Sequence, residues 1–537
     1  MLDKGSTYIC ECTDVSVDGK GIARVENDVV FAEGMIPGER ARIRITGKKG
    51  KISLGTVEEI LSASSFRVRS ECPYAGRCGG CSLSSMAYEE QLRYKLKHVN
   101  DCLEKIGKTD ITADIIIESP KRMGYRNKLS VQVRRVGGEL ALCYSSNEGE
   151  GLVPIDRCLL ADDDLNRMLS IVSGLIKEEG IEAYDPSARR GYLRRINIRK
   201  TRNGDISVLF ETASRNLEPI RKLSDRLAGE AGLKKIVITA GINRSHTEDN
   251  VYDQLVNIKG RGYLEETVNG IRYRIRPESF FQVNTDVAEK MFSFIREEIS
   301  NMQISEILDL YCGVGMISLQ LADLAESVTG IEIIPGAVED ARHNAEDNGI
   351  SHARFSLGNV GKQGEEISTK PDIIIIDPPR KGCSREALEY IRLKDPSMIV
   401  YVSCDPSTLA RDLRLLSDRY RIRSVRVFDM FPQTTHVETV CSLVLRKPVV
   451  HVNIDVDVEE LVQDKRGQAT YEQIKAYVLE HSYMKVSSLY IAQVKQKCGI
   501  IERENYNLPK SEDSRQPNCT KEKEDAIMEA FRNFGMI

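Results

Sequence analysis

Hydrophobic and polar positions change their period several times along the chain. Over the first 60 residues the pattern alternates. Arg40, Arg42 and Arg44 interleave with Ala41, Ile43 and Ile45, which puts three arginines on one face of a strand. Gly19 and Gly21 interrupt the 15–25 stretch, and Met35-Ile36-Pro37-Gly38-Glu39 reads as a turn. Residues 1–60 are therefore expected to form a small OB-like β-barrel with a basic outer stripe, which is either a nucleic-acid contact or a solvated strand face. Residues 61–265 are mixed, with a helix expected over 86–106 and strands over 128–136 and 194–200. Between 266 and 447, apolar strand-sized runs (304–310, 328–332, 372–377, 398–403) alternate with helical patterns over 316–325 and 335–348. That alternation is the signature of a doubly wound α/β sheet. Residues 448–537 carry two short helical patterns, 470–480 and 487–497, and then a polar stretch over 505–518. The pair fits a helix-turn-helix or a simple packing appendage.

Composition narrows the class. A chain of 537 residues suggests about three or four domains. Lys and Arg number 76 against 80 Asp and Glu, a net charge of −4, which excludes a uniformly basic protein but leaves room for local basic patches. Arg189, Arg190, Arg194, Arg195, Arg199, Lys200 and Arg202 form one such patch, either a phosphate-facing surface or a solvated hairpin. No apolar run reaches membrane-spanning length, and the first ten residues lack a signal-peptide pattern, so a cytoplasmic protein without membrane association is expected. The 14 Cys are too dilute for a disulfide scaffold. In a reducing compartment, clustered Cys point to metal or catalysis.

Candidate chemistry sits at the ends of the expected strands. Asp309-Leu310-Tyr311-Cys312-Gly313-Val314-Gly315 closes one strand, and the next ends in Gly330-Ile331-Glu332, whose acid is placed for ribose hydroxyls. The absence of a third glycine favours S-adenosylmethionine over a dinucleotide. Asp377-Pro378-Pro379-Arg380 ends a third strand, and its arginine, where amine methyltransferases carry an aromatic residue, argues against amine methylation. Ser403-Cys404-Asp405-Pro406 ends a fourth and offers Cys404 as a nucleophile. In the 431–438 segment Glu438 reads as a base with His436 beside it, or either as a surface turn residue.

A separate cluster, Cys72, Cys78 and Cys81 with the distant Cys158, suits four-thiolate metal binding. Zinc and an iron–sulfur cluster both accept that set. Three-plus-one spacing is commoner for [4Fe–4S].

Over residues 1–447 the chain resembles the RNA 5-methyluridine methyltransferase family. The resemblance is carried by Gly19–Arg24 and Pro37-Gly38-Glu39, which look like a TRAM domain, by the four Cys, by Gly124-Tyr125-Arg126-Asn127-Lys128, by Ser279-Phe280-Phe281-Gln282-Val283-Asn284, and by the strand-end motifs above. It implies a TRAM barrel (1–60), a central α+β iron–sulfur domain (61–265), a class I, Rossmann-like methyltransferase domain (266–447) and a helical extension of open role (448–537). By resemblance Gln282, Tyr311, Glu332 and Asp377 contact S-adenosylmethionine or the substrate base, Cys404 is the nucleophile, Glu438 the general base, and Cys72, Cys78, Cys81 and Cys158 bind a [4Fe–4S] cluster. The expected substrate is an unstacked loop uridine in RNA, with Phe280 or Phe281 stacking on it. The resemblance favours 23S ribosomal RNA and a monomeric enzyme. Transfer RNA is the alternative substrate. Cytosine-C5 methylation and a non-catalytic iron–sulfur RNA-binding protein are the competing readings.

Overall fold

The computed structural model describes residues 2–147, 151–230, 235–245, 252–360, 370–446, 469–500 and 519–537. The chain divides into two units, Met1–Arg446 and Lys447–Ile537. Among the described residues the strands of the first unit form a closed barrel, a seven-stranded sheet, a two-stranded hairpin and an eight-stranded sheet.

The barrel is made of Thr7–Val15, Gly21–Val25, Asp28–Glu33, Arg40–Lys49 and Ile52–Ser62. Ala41, Ile43 and Ile45 point inward and are buried with Val30 and Ala32, as their alternation dictates. The arginine face exists, but Arg42 pairs with Glu59 and Arg44 with Glu58 on the neighbouring strand. Two of the three charges are thereby matched within the barrel.

In the seven-stranded sheet, Lys128–Val136 pairs with Leu193–Lys200, which pairs in turn with Ile206–Thr212. The apolar face (Leu129, Val131, Ile196, Ile198, Val208, Phe210) packs under the helices Asp163–Glu178 and Glu218–Glu230. The basic segment is therefore mostly interior. Arg194 and Arg199 are 6% and 2% exposed. Lys200 pairs with Asp162 and Asp164, and Arg202 with Asp286 and Glu289. The segment is a central strand of a covered sheet, so most of its cations stabilise the fold. Of the seven, Arg189, Arg190 and the ion-paired Arg202 are exposed.

The eight-stranded sheet runs in the order Ala353–Leu357, Ala325–Glu332, Ile304–Leu310, Ile373–Ile376, Met398–Ser403, Glu438–Leu445, Tyr420–Phe428 and Ile116–Ile117. The first five strands are parallel and Glu438–Leu445 is antiparallel to both its neighbours. Strand order reverses between Ile304–Leu310 and Ile373–Ile376, the switch point where open α/β sheets bind ligands. Gly330 lies in the floor there. A Cβ on it would sit 2.5 Å from the Phe355 ring and 2.8 Å from the Cys312 sulfur, so only glycine fits.

The central segment also reaches into this sheet. Ile116–Ile117 adds the last strand, and Val99, Leu103 and Ala113 join the core cluster of Leu308, Ile374 and Ile399. The expected 86–106 helix is Tyr88–Cys102 followed by a π-helical turn, Leu103–Gly107.

In the second unit the helices Tyr471–Ser482, Ser488–Lys497 and Lys521–Asn533 pack around Ile474, Val478, Ile491, Val494, Ile527 and Phe531. The third helix, which the pattern did not announce, completes an apolar core that the first two leave open. The polar 505–518 stretch lies outside the described residues. Among the described residues no helix is long and apolar enough to cross a membrane.

Candidate active site

Sheet register assembles the site. Leu310 lies opposite Ile331 and Ile376, and Ile376 opposite Tyr401. The residues that follow, Tyr311, Glu332 and Asp377, therefore emerge side by side along one sheet edge. The antiparallel pairing of Ser403 with Thr439 adds the decisive step. One residue beyond Ser403 and one before Thr439 are Cys404 and Glu438, so they become neighbours at that same edge.

Local chemistry fixes Cys404. Ser403 Oγ donates to Asp405 O at 3.0 Å, and Asp405 caps the following helix by accepting from the N–H groups of Ser407 and Thr408 at 2.9 and 3.0 Å. Beneath it, buried Asp412 accepts from Tyr401 Oη at 2.7 Å and Cys383 N at 2.9 Å, tying the helix after Cys404 to the loop after Asp377.

The charges here are coupled. Burial, followed by the Glu438 and Asp377 carboxylates, pushes the Cys404 thiol up to about 11, while the Arg380 guanidinium opposes the shift. Burial and then Asp377 push Glu438 well above the carboxylate range, again against Arg380. Burial also raises Asp377, to about 7. Arg380 Nη2 lies 3.5 Å from His436 Nε2. His436 is held down to about 4 by partial burial and by Arg380, so it is neutral at physiological pH. In the sequence, Arg380 only excludes amine chemistry. Its function as the local cation was missed because the pairing that brings it to Cys404 is not local.

The Cys404 thiolate fraction, read as its rate of alkylation, is expected to climb roughly tenfold per unit from about pH 7 to about pH 9. Arg380→Met removes the cation that lowers both groups and should shift the rise to higher pH. A flat wild-type profile over that range would contradict this assignment.

The loop carrying His436 and Glu438 is clamped from several sides. Thr435 Oγ1 donates to Val17 O of the barrel at 2.7 Å, Tyr125 Oη to Pro432 O at 3.1 Å, and Gln91 Nε2 to Gln433 Oε1 at 3.0 Å. Lys95 Nζ donates to Phe431 O at 2.9 Å and forms a fully buried ion pair with Asp429, which also accepts from Tyr88 Oη at 2.7 Å.

At the glycine turn Tyr311 adopts φ 71° and is half-buried. Glu332 is buried and accepts from Gly313 N at 3.0 Å and from Ile333 N and Ile334 N at 2.7 and 2.9 Å, so it also ties the turn together. Asp309 accepts from Ser318 Oγ at 2.5 Å, and its other oxygen is buried without a partner among the described residues. Open space lies where a Gly313 Cβ would stand. A donor with ribose hydroxyls and a cationic amino-acid end fits that arrangement. Gln282 is buried nearby in sequence to exposed Phe280, and its carbonyl accepts from Asn127 Nδ2 at 2.9 Å. Phe281 is 2% exposed in the core against Tyr273, whereas Phe280 is 73% exposed, so only Phe280 is free to stack on a base.

The profile of the tRNA (uracil-5-)-methyltransferase family matches residues 87–447. The chain belongs to the RNA uracil-5 methyltransferase family. It is similar to uncharacterized RNA methyltransferases of Halalkalibacterium halodurans (36% identical over 456 residues, 83% of this chain and 98% of that protein) and Clostridium tetani (36% over 450 residues, 82% and 98%). A crystal structure of the Pyrococcus abyssi tRNA (uracil-54, C5)-methyltransferase with S-adenosyl-L-homocysteine matches 81% of this chain and all of that one, at 26% identity and a TM-score of 0.66. This RNA uracil-5 methyltransferase is thus an S-adenosylmethionine-dependent enzyme with an RNA substrate.

The four cysteines of the second cluster gather elsewhere. Cys72, Cys78, Cys81 and Cys158 line one cavity of about 330 Å³ with Tyr144, Arg126 and Gly79. A Cβ on Gly79 would stand 3.2 Å from Ser146 O, so the Cys78–Cys81 loop approaches that backbone closely. Burial, then Cys158, pushes Cys81 up to about 12, and burial raises Cys78 as well. Among the described residues no three His, Cys, Asp or Glu side chains are drawn into a metal-holding group. The donor set and shared cavity suit a four-thiolate centre, and its geometry is not drawn tight.

Proposed function

We propose that this RNA uracil-5 methyltransferase works through a covalent bond between Cys404 and its target uridine, in 23S ribosomal RNA. The observation that carries the mechanism is the Ser403–Thr439 pairing, which sets a nucleophile and a buried carboxylate side by side at the edge that carries Asp377 and Glu332. Carbon 5 of uracil is a poor nucleophile. The Cys404 thiolate adds to carbon 6, and the electrons of the C5–C6 double bond move toward the ring carbonyl as an enolate. S-adenosylmethionine supplies an electrophilic methyl group, which carbon 5 takes as the methyl–sulfur bond breaks and its electron pair stays on sulfur. Glu438 then removes the proton left on carbon 5. The electrons of that C–H bond restore the double bond, and the C6–S bond breaks to release the thiolate. Arg380 supports each anionic stage. Exposed Phe280 supplies a face for the unstacked base.

The barrel serves as a TRAM-type RNA-binding domain, with Arg40 its unmatched stripe position in exposed contact with solvent. Cys72, Cys78, Cys81 and Cys158 hold a structural [4Fe–4S] cluster, because four protein thiolates leave no ligand position for substrate. Anaerobically purified protein should contain about four iron and four sulfide per chain. Stoichiometric zinc without iron would overturn that assignment.

Transfer RNA is the second reading, favoured by the match to the Pyrococcus abyssi enzyme. Mapping 5-methyluridine in both RNA pools of a deletion strain decides between them. Loss of one site in 23S RNA is expected, and loss confined to transfer RNA would move the assignment.

A further inference from the structure

One buried cationic pair is used neither by the chemistry above nor by the ion pairs of the fold. On the central sheet Arg199 lies directly opposite Lys128. Both point away from the apolar face that packs under the helices, because Leu129 and Ile198 occupy that face. Arg199 is 2% exposed, and its Nη2 donates to Ser279 O at 2.8 Å, yet its Nε and Nη1 have no partner among the described residues. A buried guanidinium with two idle donors is costly unless a counter-charge comes close to it. Lys128 is half-buried beside it, and its strand neighbour on the same face, Ser130, is exposed, so this end of the face is open. The farther end is covered: a Cβ on Gly241 would meet the Tyr252 ring at 2.6 Å. Ser279, which Arg199 holds, precedes exposed Phe280.

We propose that Lys128, with the buried charge of Arg199 behind it, seats a backbone phosphate of the RNA next to the nucleotide that Phe280 receives. The proposal rests on the RNA-methyltransferase reading and adds to it a positioning site on the central sheet. An oxyanion is the ligand the pair suits, since the ammonium offers N–H donors toward the open end and the guanidinium beneath it adds a second positive charge. Electrostatics agree. Burial, and then Arg199, lower Lys128 to about 7, with Glu278 opposing. Glu278 is itself raised by burial and faces Arg276, Arg199 and Lys128, so it neutralises the pair only in part. When a phosphate docks, Lys128 must be charged. Below about pH 7 the ammonium is already present and binding needs no proton. Above it each binding event takes one up, and affinity falls by up to about tenfold per pH unit.

The test uses the full-length protein, a fluorescent uridine-containing RNA oligonucleotide titrated at several salt concentrations and pH values, and S-adenosylhomocysteine titrated separately. Lys128→Met should weaken RNA binding, lower the salt slope by about 0.7 and abolish the loss of affinity above neutral pH. Lys128→Arg should restore affinity without restoring the pH dependence, because arginine stays charged. S-adenosylhomocysteine affinity should be the same in all three proteins. A Lys128→Met protein with the wild-type salt slope and pH profile would overturn the proposal. So would a loss of S-adenosylhomocysteine affinity, which would make the methyl donor's carboxylate the occupant. If wild type neither binds nor methylates the RNA, the functional reading itself fails. If wild type does both and Lys128→Met matches it, only the phosphate seat fails.

Discussion

Glu438→Gln is expected to slow RNA methylation by about 10²–10⁴-fold and to leave protein covalently joined to RNA. The carboxylate is buried at the strand edge beside Cys404, Asp377 and Arg380, and glutamine keeps its shape while removing its basicity. Addition and methyl transfer need only the thiolate and the donor, so both still occur. The carbon-5 proton then has no acceptor, and the methylated adduct persists. A denaturing gel should show a slower protein band that carries RNA and disappears on nuclease treatment. Wild-type turnover with no such band would remove Glu438 from the role of base.

The second large effect is structural. Lys95→Met should destabilise the first unit by about 3–5 kcal/mol, because it leaves the Asp429 carboxylate buried without its cation. Lys95 also holds Phe431 O, at the start of the loop that ends in Glu438, so activity should fall before the protein unfolds. Denaturant unfolding monitored beside methylation checks both. A loss under about 1 kcal/mol, the range of an exposed pair, would show that Tyr88 and solvent suffice for Asp429.

Much of the catalytic sheet was legible because its strands are short apolar runs ending in polar signatures. Met398–Ser403 matches its expected bounds, and Ile373–Ile376 is a bare apolar run before Asp377. Motif residues at such ends could be placed on one edge without coordinates. Their pairing could not. Cys404 meets Glu438 through an antiparallel ladder, and no local period encodes which distant strand completes a sheet. The same limit hid Ile116–Ile117, too short to show any period. The Arg189–Arg202 segment misled for another reason. Charge density announces solvent only if the strand has a free face, and Leu193–Lys200 is paired on both sides and covered. Phe280 and Phe281 are identical in sequence terms. The backbone turn before the Thr285–Ile299 helix sends one to solvent and the other to the core.

A bond between Cys404 and uracil carbon 6 can be trapped and located directly. RNA carrying 5-fluorouridine at the target replaces the departing proton with a fluorine that no base can remove. Incubation with wild-type protein and S-adenosylmethionine, followed by protease and nuclease digestion and mass spectrometry, locates the bond. A methylated fluorouridine nucleotide is expected on the peptide containing Cys404, absent from Cys404→Ala. An adduct on any other residue, or methylation of ordinary RNA by Cys404→Ala, would contradict it.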